Sequence, residues 1–297
     1  MVNNEEIPAF GFLVEKVPTP LPKTVAIGAD RARAVMIHLV KNEKVKGKVK
    51  DFGPGILSHL HRLILFYIPK WAGQLRLDDD TKIAGKKVIR ADELPDKVYC
   101  FERWLERETK ELRSHPEDLD RSLRVAAAAH FGITSELHPF NDGNGRVARI
   151  LLNGILLITN KECLAHNICV LPVPVLREEV NEREIRKLLE AGKEPKLDSY
   201  LQTLEDVGKS WDLTPLKLHL ASKWEKSLGS FLMALHMRYA RFHKKNWHDN
   251  LNLIEWQIVE DMERRRKWLE DFAATSHSKD PVPDYFSASL LNKHYQI

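Results

Sequence analysis

The sequence predicts an all-α protein that carries one short β-hairpin and additional C-terminal helices. Apolar residues recur at helical spacing in several segments of the 297-residue chain, and the region from Leu216 to Phe272 is strongly helical in pattern. Leu75 to Arg90 is the one convincing β-like stretch, and it suits a short hairpin rather than a sheet. Hydrophobic residues make up 43% of the chain and charged residues 30%, which is ordinary for a soluble globular protein.

The predicted elements follow one another from an extended N-terminal arm. Prolines at positions 8, 18, 20 and 22 favour an arm that runs to Lys23, and lysines between Lys41 and Lys50 favour a solvated loop over a binding patch. Asp78 to Asp80 is interpreted as the turn of the hairpin, with a metal site as the less favoured alternative. Helices are predicted over residues 31–40, 56–68 (ended by Pro69), 96–112, 119–137, 146–159, 173–189 and 197–207.

A boundary is predicted shortly before the C-terminal helices. Thr214 is a candidate helix cap and Pro215 suits the first helical position. Beyond it, aromatic and basic residues are interleaved, and we favour the packing of an amphipathic helical pair over nucleic-acid binding. The final stretch from Asp280 is expected to be a tail that lies on the surface.

The stretch from His138 to Arg149, HPFNDGNGRVAR, carries the chemistry. Glycines beside an asparagine leave backbone N–H groups unobstructed, and a helix that starts there adds its positive end, which together favour a phosphate site. Arg146 and Arg149 are three positions apart, so on a helix they share one face and can bind phosphate oxygens. Asp142 offers a hard oxygen ligand for Mg²⁺, and His138 has an ordinary pKa near neutrality that suits a proton acceptor.

Each of these residues taken alone is more often structural than functional. A Gly-Asn-Gly or Asp-Gly sequence is usually a turn, and a lone histidine before proline usually serves the scaffold. The complete string is much less expected by chance, and it resembles the signature of the Fic family, HPF-x-(D/E)-GNGR-x-x-R, at every specified position. The similarity covers roughly Asp51 to Leu204, about half of the chain.

The resemblance implies a helical fold that transfers AMP from Mg·ATP to a side-chain hydroxyl of a protein and releases pyrophosphate. It implies that His138 is the general base and that Asp142 binds Mg²⁺. The protein substrate, which could be the chain itself, stays open, and so does the formation of a homo-oligomer.

The resemblance also assigns the phosphates of ATP to the residues that follow Asp142. The backbone N–H groups of Gly143 and Gly145, together with Asn144, would hold the α- and β-phosphates. Arg146 and Arg149 would hold the outer phosphates.

A flap hairpin is implied by a looser match upstream of the signature. Residues 72–76 (AGQLR) and 81–85 (TKIAG) resemble the family's flap. The implied target-binding residues, which would pair with an extended segment of the target protein, are Thr81, Lys82, Ile83, Ala84 and Gly85.

A self-inhibitory segment of the family, patterned (S/T)-x-x-x-E-(G/N), resembles Thr24 to Asp30, but Gly28 stands at the position of the glutamate. That glutamate pairs with the second signature arginine in the family, here Arg149, and no serine or threonine of this chain is followed four positions later by glutamate. The glycine could be a deliberate replacement, the chain could be naturally without the brake or restrained by a separate partner protein, or the match could be accidental. The chain is therefore expected to lack an intramolecular brake of this pattern.

Composition predicts the setting of the protein. The net charge of +4 is mild, so a nucleic-acid partner is not expected. The sequence contains no uncharged apolar run of about 18 residues, so no membrane span is expected. Three cysteines and an N-terminus without a basic-then-apolar order favour the cytoplasm. The expected organisation is an arm with the inhibitory-like segment over residues 1–50, a Fic core over 51–207 and a helical region over 208–297.

The leading hypothesis is therefore a protein adenylyltransferase with ATP as substrate and Mg²⁺ as cofactor. Within the same fold, another nucleotide donor remains an alternative, although the intact signature disfavours altered chemistries. From another class, the domain could act as a binding or toxin–antitoxin module.

Overall fold

The computed structural model describes residues 22–41, 51–79, 82–83, 86–160, 199–240, 253–275 and 277–285. The extended arm before Pro22, most of the lysine-rich loop, the helix expected over 173–189 and the tail beyond Tyr285 lie outside the described residues. Three of the expected flap residues, Thr81, Ala84 and Gly85, also lie outside them.

The described chain is mainly helical, and the predicted all-α fold with one short hairpin is confirmed. Strands β1 (Lys82–Ile83) and β2 (Lys86–Lys87) are antiparallel, with Lys82 opposite Lys87 and Ile83 opposite Lys86. The connection of the hairpin therefore lies between Ile83 and Lys86, and the interpretation of Asp78 to Asp80 as its turn is wrong. The helices are α1 (Pro22–Val40), α2 (Ile56–Ile64), α3 (Leu94–Ser114), α4 (Leu119–Phe131), α5 (Asn144–Ile158), α6 (Ser199–Ser210), α7 (Thr214–Ala240) and α8 (Leu253–Ala274). None of these described helices is long and apolar enough to cross a membrane.

The described residues form two compact units. The first takes its residues from 1–108, 129–151 and 284–297, and the second from 109–128 and 152–283. The expected boundaries near residues 50 and 207 stay a prediction about domain organisation.

Helix α2 lies at the centre of the first unit. Its apolar residues Ile56, Leu57, Leu60 and Ile64 are fully buried. The Glu102 carboxylate of α3 accepts hydrogen bonds from the backbone N–H groups of Gly55 (2.7 Å) and Leu57 (2.9 Å), so it satisfies donors that the first turn of a helix leaves without partners. Burial raises the pKa of Glu102 to about 7.

Helix α1 begins at Pro22, nine residues before its predicted start, so Pro22 and Lys23 belong to a helix and not to the extended arm. Two helix ends also differ from their predicted positions. Helix α2 ends at Ile64, four residues before the predicted end, because Leu65 leaves the helical conformation and Ile68 closes a turn by donating to the Leu65 carbonyl (2.8 Å). The helix predicted through Leu137 is α-helical only to Phe131, and a π-helical turn over Gly132–Leu137 continues it. Wider turns of this kind are often found at functional sites.

In the second unit, α7 packs against both α6 and α8. Helix α7 begins at Thr214, one residue before the predicted first helical position at Pro215, and the Asp212 carboxylate is the side chain that accepts from the Thr214 N–H (3.0 Å). Lys217, 6% exposed, forms ion pairs with Asp120 (2.9 Å) and Asp280 (2.8 Å) and so joins two segments of this unit.

Residues 280–284 are half-buried or exposed, as expected of a segment on the surface, but they are held by backbone hydrogen bonds rather than forming a loose tail. The chain pairs there with the start of α7: the Leu213 N–H donates to the Asp280 carbonyl (2.7 Å), and the Val282 N–H donates to the Trp211 carbonyl (3.1 Å). Tyr285 is fully buried in the first unit. A sequence pattern with two prolines does not reveal these pairings because both partners lie far back along the chain.

Candidate active site

The loop between the π-helical turn and α5 begins and ends with a left-handed backbone. His138 has φ 41° and ψ 60°, which is an uncommon conformation for a residue other than glycine. Gly143 has φ 83°, and a Cβ atom there would come within 3.2 Å of the His61 ring. Its carbonyl accepts from the N–H groups of Arg146 (3.0 Å) and Val147 (2.9 Å), so Gly143 begins the helix and glycine suits the position.

Asn144 closes this loop from inside. Its Oδ1 accepts from the Phe140 N–H (3.0 Å) and its Nδ2 donates to the Phe140 carbonyl (2.6 Å), while the residue is 3% exposed. The resemblance assigned Asn144 to the phosphates, but the structure uses its side chain to fix the backbone of the loop. A contribution of Asn144 to anion binding would therefore come from its backbone N–H at the start of α5.

His138 is held as a neutral ring with a defined tautomer. Its Nδ1 lies 3.1 Å from the Thr134 carbonyl, and a carbonyl oxygen can only accept, so Nδ1 carries the proton and the lone pair lies on Nε2. Burial lowers the pKa of His138, the Arg76 charge adds to that decrease, and the Thr134 carbonyl and the Asp142 charge oppose it. The histidine therefore presents a proton-accepting nitrogen at neutral pH.

Asp142 and Arg146 form an ion pair at the start of α5. Arg146 Nη2 lies 2.6 Å from Asp142 Oδ2, and Arg146 Nη1 donates to the Tyr67 hydroxyl (3.3 Å). Burial lowers the pKa of Arg146, but the hydrogen bond to Tyr67 and the Asp142 carboxylate raise it by more, so the net shift is upward. The guanidinium is thus a permanent cation directed across the loop.

The second signature arginine also lies along the first turn of α5. Arg149 Nη1 is 3.3 Å from the place that a Cβ of residue 145 would occupy, so Gly145 leaves room for this guanidinium. The sequence prediction that Arg146 and Arg149 belong to one helix is confirmed.

The loop contains one carboxylate, that of Asp142, that could bind a metal ion. Among the described residues, no group of three or more His, Cys, Asp and Glu side chains could hold a metal ion. The less favoured alternative of a metal site at Asp78 to Asp80 includes Asp80, which lies outside the described residues. Asp142 alone fits Mg²⁺ that arrives with phosphate oxygens and water as its other ligands.

Sequence reasoning missed His61, which supports the loop from α2. The His61 ring stacks on the Phe140 ring with centroids 3.8 Å apart and an interplanar angle of 3°. Its Nδ1 accepts from the Gly73 N–H (2.9 Å) and its Nε2 donates to the Asp142 carbonyl (2.9 Å). A lone histidine on an apolar helix face gives no sequence signal that would separate this role from ordinary core packing.

Arg76 belongs to the stretch that resembles the family's flap, and its side chain is buried beneath the loop. The residue is 1% exposed, and its Nε donates to the His138 carbonyl (2.9 Å). The Arg76 N–H donates to the Pro139 carbonyl (2.9 Å). Arg76 therefore binds the backbone of the expected base.

Gly28 lies buried in α1, where it faces the end of α2. A Cβ atom there would lie 2.4 Å from the Ile64 carbonyl oxygen and 3.0 Å from the Leu63 carbonyl oxygen. This close approach of two helix backbones gives glycine at position 28 a packing reason that needs no lost glutamate. The inhibitory-segment assignment stays a prediction, and the contact argues against it.

Comparison with known proteins agrees with the geometry of the loop. The Fic/DOC family model matches residues 52–156. The chain is 33% identical over 132 residues to "Protein adenylyltransferase Fic" of Culex quinquefasciatus, which is 44% of this chain and 24% of that protein. It is 31% identical over 116 residues to the proteins of the same name from Drosophila yakuba (39% of this chain, 21% of that protein) and Drosophila melanogaster (39% and 21%).

The matched segment spans about a quarter of the length of these curated relatives. Within it lie the elements described above, from the residues before α2 to nearly the end of α5. The similarity to the Fic/DOC family therefore covers residues 52–156, about a third of the chain.

Proposed function

We propose that this chain transfers AMP from Mg·ATP to a Ser, Thr or Tyr hydroxyl of a protein and releases pyrophosphate. One observation carries the proposal: a neutral His138, with its lone pair on Nε2, lies on a loop that leads directly into a helix N-terminus with two arginines. A proton acceptor beside an anion site is what nucleotidyl transfer to a hydroxyl requires. The names of the similar proteins support the same activity.

The proposed step balances without a further reactant. The hydroxyl oxygen of the target forms a bond to the α-phosphorus of ATP, and the bond from that phosphorus to the bridging oxygen of pyrophosphate breaks. His138 Nε2 accepts the hydroxyl proton. Because burial lowers the pKa of His138, the ring is already neutral at physiological pH and needs no prior deprotonation.

The start of α5 would bind the phosphates. The N–H groups of Asn144 and Gly145 precede the first helical hydrogen bonds, which Arg146 and Val147 donate to the Gly143 carbonyl, and they lie at the positive end of the helix dipole. Arg146 and Arg149 would hold the outer phosphate oxygens with their guanidinium groups. Asp142 would hold Mg²⁺, which when bound supplies charge neutralisation for the phosphates.

The short hairpin would guide the target. Its strands each span two residues, and an extended target segment could extend this sheet by backbone hydrogen bonds. The proposal assigns this role to the segment from Thr81 to Gly85, of which Lys82 and Ile83 form β1.

Transfer from α-labelled ATP tests the proposal. We expect label to enter the protein itself or proteins of a cell extract when Mg²⁺ is present, with a mass gain of one AMP in the intact modified protein. Replacement of the base, His138→Ala, should lower the rate by about 10²–10⁴-fold. His115→Ala is the control because this imidazole is exposed, where it lies 3.6 Å from the Glu117 carboxylate.

Two outcomes would contradict the proposal. Equal labelling by wild type and His138→Ala would exclude His138 as the base. Labelling by γ-labelled but not α-labelled ATP would show phosphate transfer rather than AMP transfer. Parallel reactions with α-labelled UTP and GTP would identify a different nucleotide donor.

A further inference from the structure

Arg76 binds three consecutive carbonyl groups around the expected base. Its Nε donates to the His138 carbonyl at 2.9 Å and its Nη2 to the Leu137 carbonyl at 3.4 Å. Its backbone N–H donates to the Pro139 carbonyl at 2.9 Å. The position of the His138 backbone is therefore fixed from one side by a single residue.

The other end of the same guanidinium holds the base of the hairpin. Nη1 donates to the Asp78 carbonyl at 2.5 Å, and Nη2 also donates to the Ile89 carbonyl. Asp78 precedes β1 and Ile89 follows β2, so these two contacts join the opposite legs of the hairpin. One side chain thus binds both the loop that carries His138 and the hairpin.

We propose that Arg76 is a positioning residue that fixes His138 in register with the hairpin, so that a target hydroxyl presented on the hairpin meets Nε2. This inference rests on the proposed AMP transfer. His138 has a left-handed backbone, which is unfavourable for a residue with a side chain and persists only where the surroundings hold it. The bonds from Arg76 to the carbonyls of residues 137–139 supply such surroundings.

Lysine cannot reproduce this arrangement. The guanidinium is a planar fork whose nitrogens reach four carbonyl oxygens here, whereas an ammonium group is a compact donor at the end of a flexible stem. A lysine at position 76 would keep the positive charge and lose the fork. Glutamine would lose both, so the pair of variants separates charge from geometry.

The charge of Arg76 also acts on His138. Burial and the Arg76 charge lower the pKa of His138. The hydrogen bond to the Thr134 carbonyl and the Asp142 charge raise it. Loss of the Arg76 charge should therefore raise the pKa of His138, while the lysine variant should leave it low.

The first measurement is the rate of AMP transfer by Arg76→Lys and Arg76→Gln, with Arg33→Gln as control. Arg33 has a 63% exposed side chain on α1, where it pairs with Asp30. We expect both Arg76 variants to lose about 10–100-fold in kcat, because misplacement by about 1 Å costs that much, with the KM for ATP within about threefold of wild type. The control should match wild type.

The second measurement follows the His138 imidazole by NMR as a function of pH, with the resonance assigned from its loss in His138→Ala. We expect Arg76→Gln to raise the pKa of His138 and Arg76→Lys to leave it unchanged. This measurement does not need enzymatic turnover. If wild type transfers no AMP, the proposed function fails, while the NMR titration still tests the contact between Arg76 and His138.

Three results would overturn the proposal. Wild-type kcat in both folded Arg76 variants would show that His138 needs no fixing by the fork. A fall in kcat matched by an equal rise in the KM for ATP would assign Arg76 to nucleotide binding. Loss of the folded state in both variants, measured by thermal unfolding, would assign Arg76 to the core alone.

Discussion

At the scale of single residues, His61 shows how hydrogen bonds to the backbone determine the tautomer of a side chain. The Gly73 N–H can only donate to Nδ1 and the Asp142 carbonyl can only accept from Nε2, so the ring must be neutral with its proton on Nε2. Burial is the largest cause that lowers the pKa of His61 to about 4. The two histidines near the loop therefore have opposite tautomers: His61 carries its proton on Nε2, and His138 carries its proton on Nδ1.

Replacement of His61 by phenylalanine tests its support of the loop. His61→Phe keeps a ring against Phe140 but leaves the Gly73 N–H and the Asp142 carbonyl without this partner. We expect a loss of about 1–3 kcal/mol in the free energy of unfolding, measured with urea, because buried polar groups lose their hydrogen bonds. His115→Phe, on a 60% exposed side chain, should change it by less than about 0.5 kcal/mol. Equal stability of the two variants would show that packing, not hydrogen bonding, is the contribution of His61.

The sequence predicted the members of the loop that belong to one motif and missed those that support it from afar. His138, Asp142 and Arg146 lie within a few positions of each other and form a recognisable string. His61 is 81 positions from its partner Asp142, and Arg76 is 62 positions from His138. Both bind backbone carbonyls, which every residue type provides, so no pattern of side chains predicts the contacts.

At the scale of elements, the crossing of α1 and α2 depends on the absence of a side chain. Gly28→Ala should lower the free energy of unfolding by about 1–3 kcal/mol, because its Cβ atom would press on the Ile64 carbonyl, and this exceeds the roughly 0.5–1 kcal/mol that alanine gains in a helix. Gly229→Ala in α7 is the control, since its Cβ atom would meet only the flexible end of Arg266. Urea unfolding of both variants measures the difference.

The same position decides between packing and inhibition. We expect Gly28→Glu to be less stable than Gly28→Ala, since the longer side chain does not fit between α1 and the end of α2. A Gly28→Glu protein with wild-type stability and strongly reduced AMP transfer would instead support the inhibitory segment that the sequence suggests.

Helix positions followed the apolar periodicity, but two helix ends did not. The pattern of α2 continues to Ile68, which is buried, so burial alone does not reveal that the helix has already ended at Ile64. The change from α4 to a π-helical turn is likewise invisible, because both wind apolar residues inward at similar intervals.

At the scale of the whole molecule, buried carboxyl groups make stability depend on pH. Burial and the nearby Asp284 carboxylate raise the pKa of Glu136 from 4.5 to about 7, while Lys97 opposes the shift. A carboxyl group with a raised pKa in the folded state contributes stability that is fully present below pH 4.5 and is lost as the pH rises through about 7. Glu102 adds to the same trend.

Glu136→Gln should remove part of this dependence. We expect the variant to gain on the order of 2 kcal/mol relative to wild type between pH 5 and pH 8, as measured by the free energy of unfolding in urea. Glu117→Gln, at a 75% exposed carboxylate, should follow wild type across the same range. A pH dependence of Glu136→Gln identical to that of wild type would assign the dependence to other groups.

Tyr285 closes the aromatic core of the first unit from the far end of the described chain. Its ring lies 4.8 Å from Trp104 and 5.3 Å from Phe101, measured between centroids. At about 5–20 residues per second, a ribosome adds Tyr285 roughly 10–40 s after Trp104. The aromatic surface of α3 therefore stays uncovered during most of the synthesis of the chain. Synthesis of the first unit begins before that of the second unit but ends after it. We expect chaperones to bind the growing chain most strongly during this interval. The risk of aggregation is therefore greatest during synthesis, before Tyr285 covers the aromatic surface.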